Sequence, residues 1–249
     1  MNNLNIQITG WNDGFDYIRE RIIRDILDIM YMFFKNDGLY ESDLTICNIT
    51  SVNCRYADDR PCTHPDRSKI CINSSQRHWC QFVHQLSHEL CHCSTSRCPL
   101  PLQIKWFDEF LCCCSSFLVE KYISTSTNEK YNYMFGNDTA NVFGEYLKTE
   151  LNGHIYKTDN VKNMFFRCRE LYEKNQNLIK EHDVYVYEFF RRIGSNWHGL
   201  SFIGKMWKVN TDSCFSVEEF LSRLSLLCDS AEKEKLKTVV ELFGLGADA

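Results

Sequence analysis

The sequence is as informative for what it withholds as for what it holds. Its lysines and arginines never gather beyond a pair such as Arg191-Arg192, and the net charge is −5. A basic face for nucleic acid or for an anionic membrane surface is therefore not expected. Long apolar runs are also missing. The longest, from Phe110 to Val119, is interrupted by two serines and falls well short of the about 20 residues that a bilayer-spanning helix needs. The opening residues, Met1-Asn2-Asn3-Leu4-Asn5, contain neither the basic segment nor the apolar core of a secretion signal, which points to a cytoplasmic location. There is no internal repeat and no low-complexity tract.

Cysteine is abundant, yet no Cys-x-x-Cys pair occurs among the fourteen. That excludes the paired knuckles of a structural zinc module. Cys112, Cys113 and Cys114 are consecutive on an expected helix and point in three directions, which suits no disulfide framework. Cys47, Cys71, Cys80, Cys168 and Cys228 stand in apolar segments, where a thiol behaves as a small hydrophobe. The expectation is a set of reduced, mostly buried thiols. Two looser groups, Cys54/Cys62/His64/Cys71 and Cys91/Cys93/Cys98, are the candidates for a further metal site.

With 249 residues, 44% of them hydrophobic and 24% charged, the chain has the composition and length of a globular protein with a real core. What stands out within it is His88-Glu89-Leu90-Cys91-His92. Two histidines four apart on a helix lie one above the other on the same face, and the glutamate beside the first points toward the same space. That pattern supplies two ligands for a zinc ion and a base for the water it acidifies. From Gln76 to Cys93 there is no Pro or Gly, and Trp79, Phe82, Val83, Leu86 and Leu90 recur at helical spacing. Ser74 or Ser75 can cap the start of that helix. Just before it, residues 69–73 read as a short strand, of a kind that can pair with an extended peptide.

Two histidines do not complete a catalytic zinc site. Pro99 and Pro101 break the chain after His92, and a second helix fits Lys105 to Tyr122. Glu109 lies seventeen residues after His92, and on an antiparallel return it can face the histidines. With these residues on the page, the segment 69–123 resembles the zincins, specifically the gluzincin branch, whose third ligand is a Glu on the following helix at about this separation. The resemblance implies zinc held by His88, His92 and Glu109, with Glu89 as general base and a peptide or protein as substrate. It departs from the thermolysin-like form, where an Asn precedes the ligand Glu and an Asp follows four positions later. Here those places hold Asp108 and Cys113. Asp108 is accordingly the alternative to Glu109, and is expected to meet a histidine ring or solvent if Glu109 binds.

Read in order, residues 4–8 and 44–49 are strands, and 52–56 is a possible partner for the second. Between the first two runs a long helix with Ile18, Ile22, Ile26, Met30 and Phe33 on one face, which Asp13 can cap. Residues 57–68, polar and holding Pro61 and Pro65, read as a loop. The expected fold class is α+β: a zincin-like catalytic half with a small twisted sheet, a backing helix and the metal helix (residues 1–124), then a mainly helical half (125–249). In that second half, 141–151 and 161–171 read as helices, and 184–193 is ambiguous between strand and helix. Ser216 and Glu219 form the signature of a capping box, with Phe215 and Phe220 as its staple. A last helix from Glu232 to Phe243 closes at Gly244.

Zinc-assisted hydrolysis also needs a donor for the oxyanion. His198 is the candidate, beside Tyr122, Tyr131, Tyr133, His154 and Tyr185. His84, one turn before His88, continues the histidine stripe as a supporting or solvated residue. The expected protein is a cytoplasmic zinc peptidase, with no nucleic-acid or membrane partner. Two rivals are a zincin-fold regulatory protein with little turnover, which the intact Glu89 opposes, and a cysteine-rich metal or redox protein.

Overall fold

The computed structural model describes residues 4–35, 43–49, 61–63, 69–74, 78–95, 102–126, 131, 135, 138–152, 179–211 and 216–245. Its class is mixed α and β, with a four-stranded sheet and mostly helical content. The chain divides into two compact units that interleave along the sequence. One comprises Met1–Met32, Asp37–Cys93 and Ser115–Lys148; the other comprises Phe33–Asn36, Ser94–Cys114 and Thr149–Ala249.

The first unit holds the sheet, in order β1-β2-β4-β3. Strands β1 (Ile6–Thr9), β2 (Leu44–Asn48) and β4 (Lys69–Ile72) run parallel, and the two-residue β3 (Cys62–Thr63) joins the edge antiparallel. Two parallel strands need a long crossover, which helix α1 (Asp16–Phe34) supplies between β1 and β2. Buried Ile22, Ile26 and Met30 form the face that the sequence periodicity predicts. The interior strands β2 and β4 are buried at nearly every position, as near-continuous apolar runs in parallel sheets are. β4 has β2 on one side and β3 on the other, so the strand expected to receive a peptide is not a sheet edge. β3 falls in the stretch read as a loop: two residues carry no periodicity, and the register with β4, Cys62 to Cys71 and Thr63 to Ile70, is a tertiary fact. The expected strand at 52–56 lies outside the described residues.

Asp13, expected as a helix cap, accepts from the Phe15 backbone N–H just ahead of α1 and grips Arg19 through both carboxylate oxygens, at 2.7 and 2.6 Å. The Arg19 side chain is only 1% exposed. Its guanidinium lies 4.6 Å from the Trp11 ring centroid and 5.6 Å from that of Trp79. A buried cation demands such compensation, and the arrangement fastens the first residue of helix α2 (Trp79–Thr95) to the sheet unit. Trp11 adds an edge-to-face contact with Phe82 and donates its indole N–H to the Ser74 carbonyl. Gln85 accepts from the Asn73 backbone N–H, pinning the junction between β4 and α2.

The second unit is helical. Helices α5 (Ile179–Ile193), α6 (Val217–Leu226) and α7 (Ser230–Phe243), with a 3₁₀ segment Leu200–Lys208, surround an aromatic core. The ambiguous 184–193 stretch is helix. Tyr185, Val186, Phe189, Phe190 and Ile193 are all buried, and that spacing is a helical stripe rather than a strand's alternation. Trp106, Phe110 and Tyr185 pack on Phe243, and Phe110 also meets Phe189 edge-to-face. Each such pair contributes about 0.5–1.5 kcal/mol beyond its buried area. Ser216 caps α6 by accepting from the Glu219 N–H, as its sequence signature predicts; Phe215 lies outside the described residues. A full capping box, not anticipated, starts α7 at Asp229 and Glu232, and Gly244 closes that helix in the left-handed conformation. Helix α4 (Thr139–Asn152) covers the predicted 141–151 helix. The predicted 161–171 helix is outside the described residues.

Candidate metal centre

Helix α2 and helix α3 (Leu102–Thr125) carry the candidate site. Three side-chain links set their direction. Ser116 donates to the His84 carbonyl at 2.8 Å, Ser115 to the Ser87 carbonyl at 3.1 Å, and Thr95 to the Asp108 carboxylate. Residue numbers rise on one helix as they fall on the other, so the two run antiparallel, the return inferred from the proline break at 99–101. The run Cys112-Cys113-Cys114-Ser115-Ser116 has a structural logic here. Small side chains let α3 approach closely, and the serine hydroxyls end on α2 backbone carbonyls.

His88 and His92 face each other, with 3.2 Å between their Nε2 atoms and 4.9 Å between ring centroids. Two imidazole nitrogens bound at about 2.1 Å to one tetrahedral ion lie roughly 3.4 Å apart, so the pair needs almost no movement to share a metal. Cys112 stands one turn before Ser115 and Ser116 on the unbroken α3. Its buried thiol completes a group with His88 and His92 in which the three ligand atoms lie within 4.8 Å of one another. The donor set of two imidazoles and one thiol suits zinc or another borderline transition metal.

Glu109, the ligand that the gluzincin resemblance implies, is half-buried on α3 and is not in that group. Asp108 is 6% exposed and accepts from the Thr95 hydroxyl, rather than lying open to solvent. Glu89 is 5% exposed; Thr63 of β3 donates to its Oε2 at 2.8 Å and lies 3.0 Å from its backbone carbonyl. Thr63 thus fixes one oxygen of a buried carboxyl group. Nothing in the sequence marked Thr63, because its strand is too short to leave a pattern.

One turn along α2, His84 brings its Nδ1 to 3.3 Å from the deeply buried Glu120 carboxylate of α3, and its ring meets Tyr146 edge-to-face. Burial first, then the Glu120 charge, pushes the Cys80 thiol up to about 12, so it stays protonated. His84, whose side chain is 33% exposed, has a carboxylate neighbour as well as solvent. His198 is exposed in the turn after α5, beside Gly199. Among the other oxyanion candidates, Tyr185 is buried against Phe243 and Tyr122 is half-buried on α3. Tyr131 is buried, with its hydroxyl held protonated by that burial and by Asp25. Tyr133, His154, Cys54, His64 and Cys98 lie outside the described residues.

Known proteins give no counterpart. No protein-family model, curated protein or solved structure matches the chain. Ten cysteines fall among the described residues; none is in a disulfide, and six are buried. No described helix is long and apolar enough to cross a membrane.

Proposed function

We propose that this chain is a zinc-dependent hydrolase acting on peptide bonds, with His88 and His92 as metal ligands and Glu89 as general base. The observation that carries the reading is the 3.2 Å approach of the two Nε2 atoms, with the fixed Glu89 carboxylate as a neighbour on the same helix. The third ligand comes from α3. Cys112 is preferred, because its thiol already belongs to the group; Glu109, one turn earlier, is the residue the gluzincin resemblance favours.

Three protein ligands leave a fourth position open, which is the arrangement of catalytic rather than structural sites. Zinc held by these residues would supply Lewis acidity, lowering the pKa of a bound water and polarising a carbonyl. Thr63 holds Glu89 Oε2, which leaves Oε1 to take the water's proton and later hand it to the leaving amine. His84, one turn before His88, has its Nδ1 3.3 Å from the Glu120 carboxylate of α3. The peptide substrate rests on the zincin resemblance and not on a measured groove.

The decisive test is a proteome-derived peptide library incubated with the zinc-loaded chain and with Glu89→Gln. Cleavage by the wild type alone supports a peptidase; no cleavage by either rejects it. The presence of Cys112 in the group favours one competing reading, a metal-thiolate protein without turnover. Such a protein would bind zinc equally well and cleave nothing.

A further inference from the structure

A second thiol arrangement lies away from the metal helices. Cys47 on β2, Cys71 on β4 and Cys62 on β3 are partners across three adjacent strands: Cys47 pairs in register with Cys71, and Cys71 with Cys62. Residues opposite one another on neighbouring strands point to the same face of a sheet, so three sulfurs form one row. Cys47 and Cys71 are fully buried, with their Sγ atoms 3.2 Å apart; Cys62 packs against them and is only partly buried. The Cys47 thiol also reaches the Ile70 carbonyl at 3.5 Å.

We infer that this row is an oxidative modification site: Cys47 and Cys71 form a disulfide, with Cys62 as the thiol through which a small-molecule disulfide gains entry. The geometry carries it. Neighbouring strands stand about 4.8 Å apart, inside the Cα separation that a disulfide spans. The sulfurs must close from 3.2 Å to the bonded distance of about 2.05 Å, a change that side-chain rotation supplies. Buried as they are, the two thiols cannot meet an oxidant directly, whereas Cys62 can.

The exchange balances as follows. Cys62, having lost its proton to solvent, attacks one sulfur of the external disulfide and forms a mixed disulfide, expelling one thiolate. Cys71 attacks the Cys62 sulfur and expels the second, giving a Cys62–Cys71 bond. Cys47 then attacks the Cys71 sulfur and returns Cys62 to the thiol. In sum two protein thiols are oxidised to one disulfide, and one external disulfide is reduced to two thiols, with the protons passing through solvent.

The test uses the full native chain and glutathione disulfide. After incubation without denaturant, remaining thiols are alkylated, the protein is digested, and cross-linked peptides are identified by mass spectrometry. The expected result is a peptide joining Cys47 to Cys71, removed by a mild reductant and absent from an unoxidised control. Cys62→Ser, a change at a partly exposed position, should slow its appearance at least tenfold without preventing the fold, checked by circular dichroism. Recovery of Cys47 and Cys71 as alkylated thiols to the same extent with and without oxidant overturns the proposal in the wild type alone. So does a Cys62–Cys71 link as the end product. An unchanged rate in Cys62→Ser overturns the entry role.

Discussion

The Nε2 atoms of His88 and His92 lie 3.2 Å apart, about the separation that two ligands of one tetrahedral zinc have. Purified protein should therefore carry about one zinc per chain. His88→Ala and His92→Ala should each lower zinc by at least tenfold at a fixed chelator concentration. Undiminished metal in both variants, measured by elemental analysis, would place the ion elsewhere.

Glu89→Gln separates binding from chemistry. The amide retains the size of the side chain and still accepts from Thr63, so zinc content and melting temperature should stay near wild type. Any hydrolysis should fall by about 10²- to 10⁴-fold, the usual contribution of a positioned base. Unchanged turnover in a zinc-replete variant would remove Glu89 from the mechanism.

The third ligand has a spectroscopic signature. Cobalt substituted for zinc should show the near-ultraviolet charge-transfer band of a thiolate ligand. Cys112→Ser should abolish the band and weaken metal binding, and Glu109→Ala should leave the band in place. If the band is absent from the wild type and Glu109→Ala loses the metal, Glu109 is the ligand and the gluzincin arrangement holds.

Acid should loosen the first unit through Asp13. The Arg19 guanidinium, its largest influence, holds this carboxyl below its ordinary value. A group whose folded value is depressed contributes stability that is present above the unfolded value and is lost as pH falls through the folded one. Urea midpoints of the wild type should fall between about pH 5 and the most acidic conditions that can be measured, and Asp13→Asn should flatten that slope. At neutral pH the variant should lose up to about 3–5 kcal/mol, because buried Arg19 then keeps only the half-exposed Asp16 carboxylate, at 3.1 Å. A variant as stable as wild type at pH 7 would contradict this.

Gly199 gives a local test beside His198. Its φ is +89°, and an added Cβ would stand 2.5 Å from the backbone oxygen of Ala231. Gly199→Ala should lower the melting temperature by several degrees, with a cost of about 1–3 kcal/mol for the strained backbone alone. An unshifted thermal transition would show that this turn has another accessible conformation.

How far the sequence could be read follows from the range of the forces involved. The helix that carries His88 was legible because an apolar stripe repeats along it, the one that carries Glu109 because no Pro or Gly interrupts it, and the prolines between them marked the reversal. Ser216 and Gly244 announced their helix ends through local chemistry. The stretch at 184–193 misled in part: Val and Tyr have strand preference, but burial of Tyr185, Phe189 and Ile193 along one helical face decides the outcome. Thr63, Glu120 and the Cys47–Cys71 contact could not be read at all, since each depends on segments distant in sequence meeting in space. Antiparallel packing brings Asp108 to Thr95 at the end of α2, a partner that no local pattern marks.

One consequence concerns Thr63. It fastens Glu89 from the end of a two-residue strand that, among the described residues, pairs with β4 alone. β4 has strand partners on both sides, so opening β3 alone should cost less than opening the interior of the sheet. Such an opening would unclasp the Glu89 carboxylate from Thr63 without unfolding the histidine helix. The orientation of that carboxylate is then expected to be a local property, adjustable by substitutions in β3 without any change to the core.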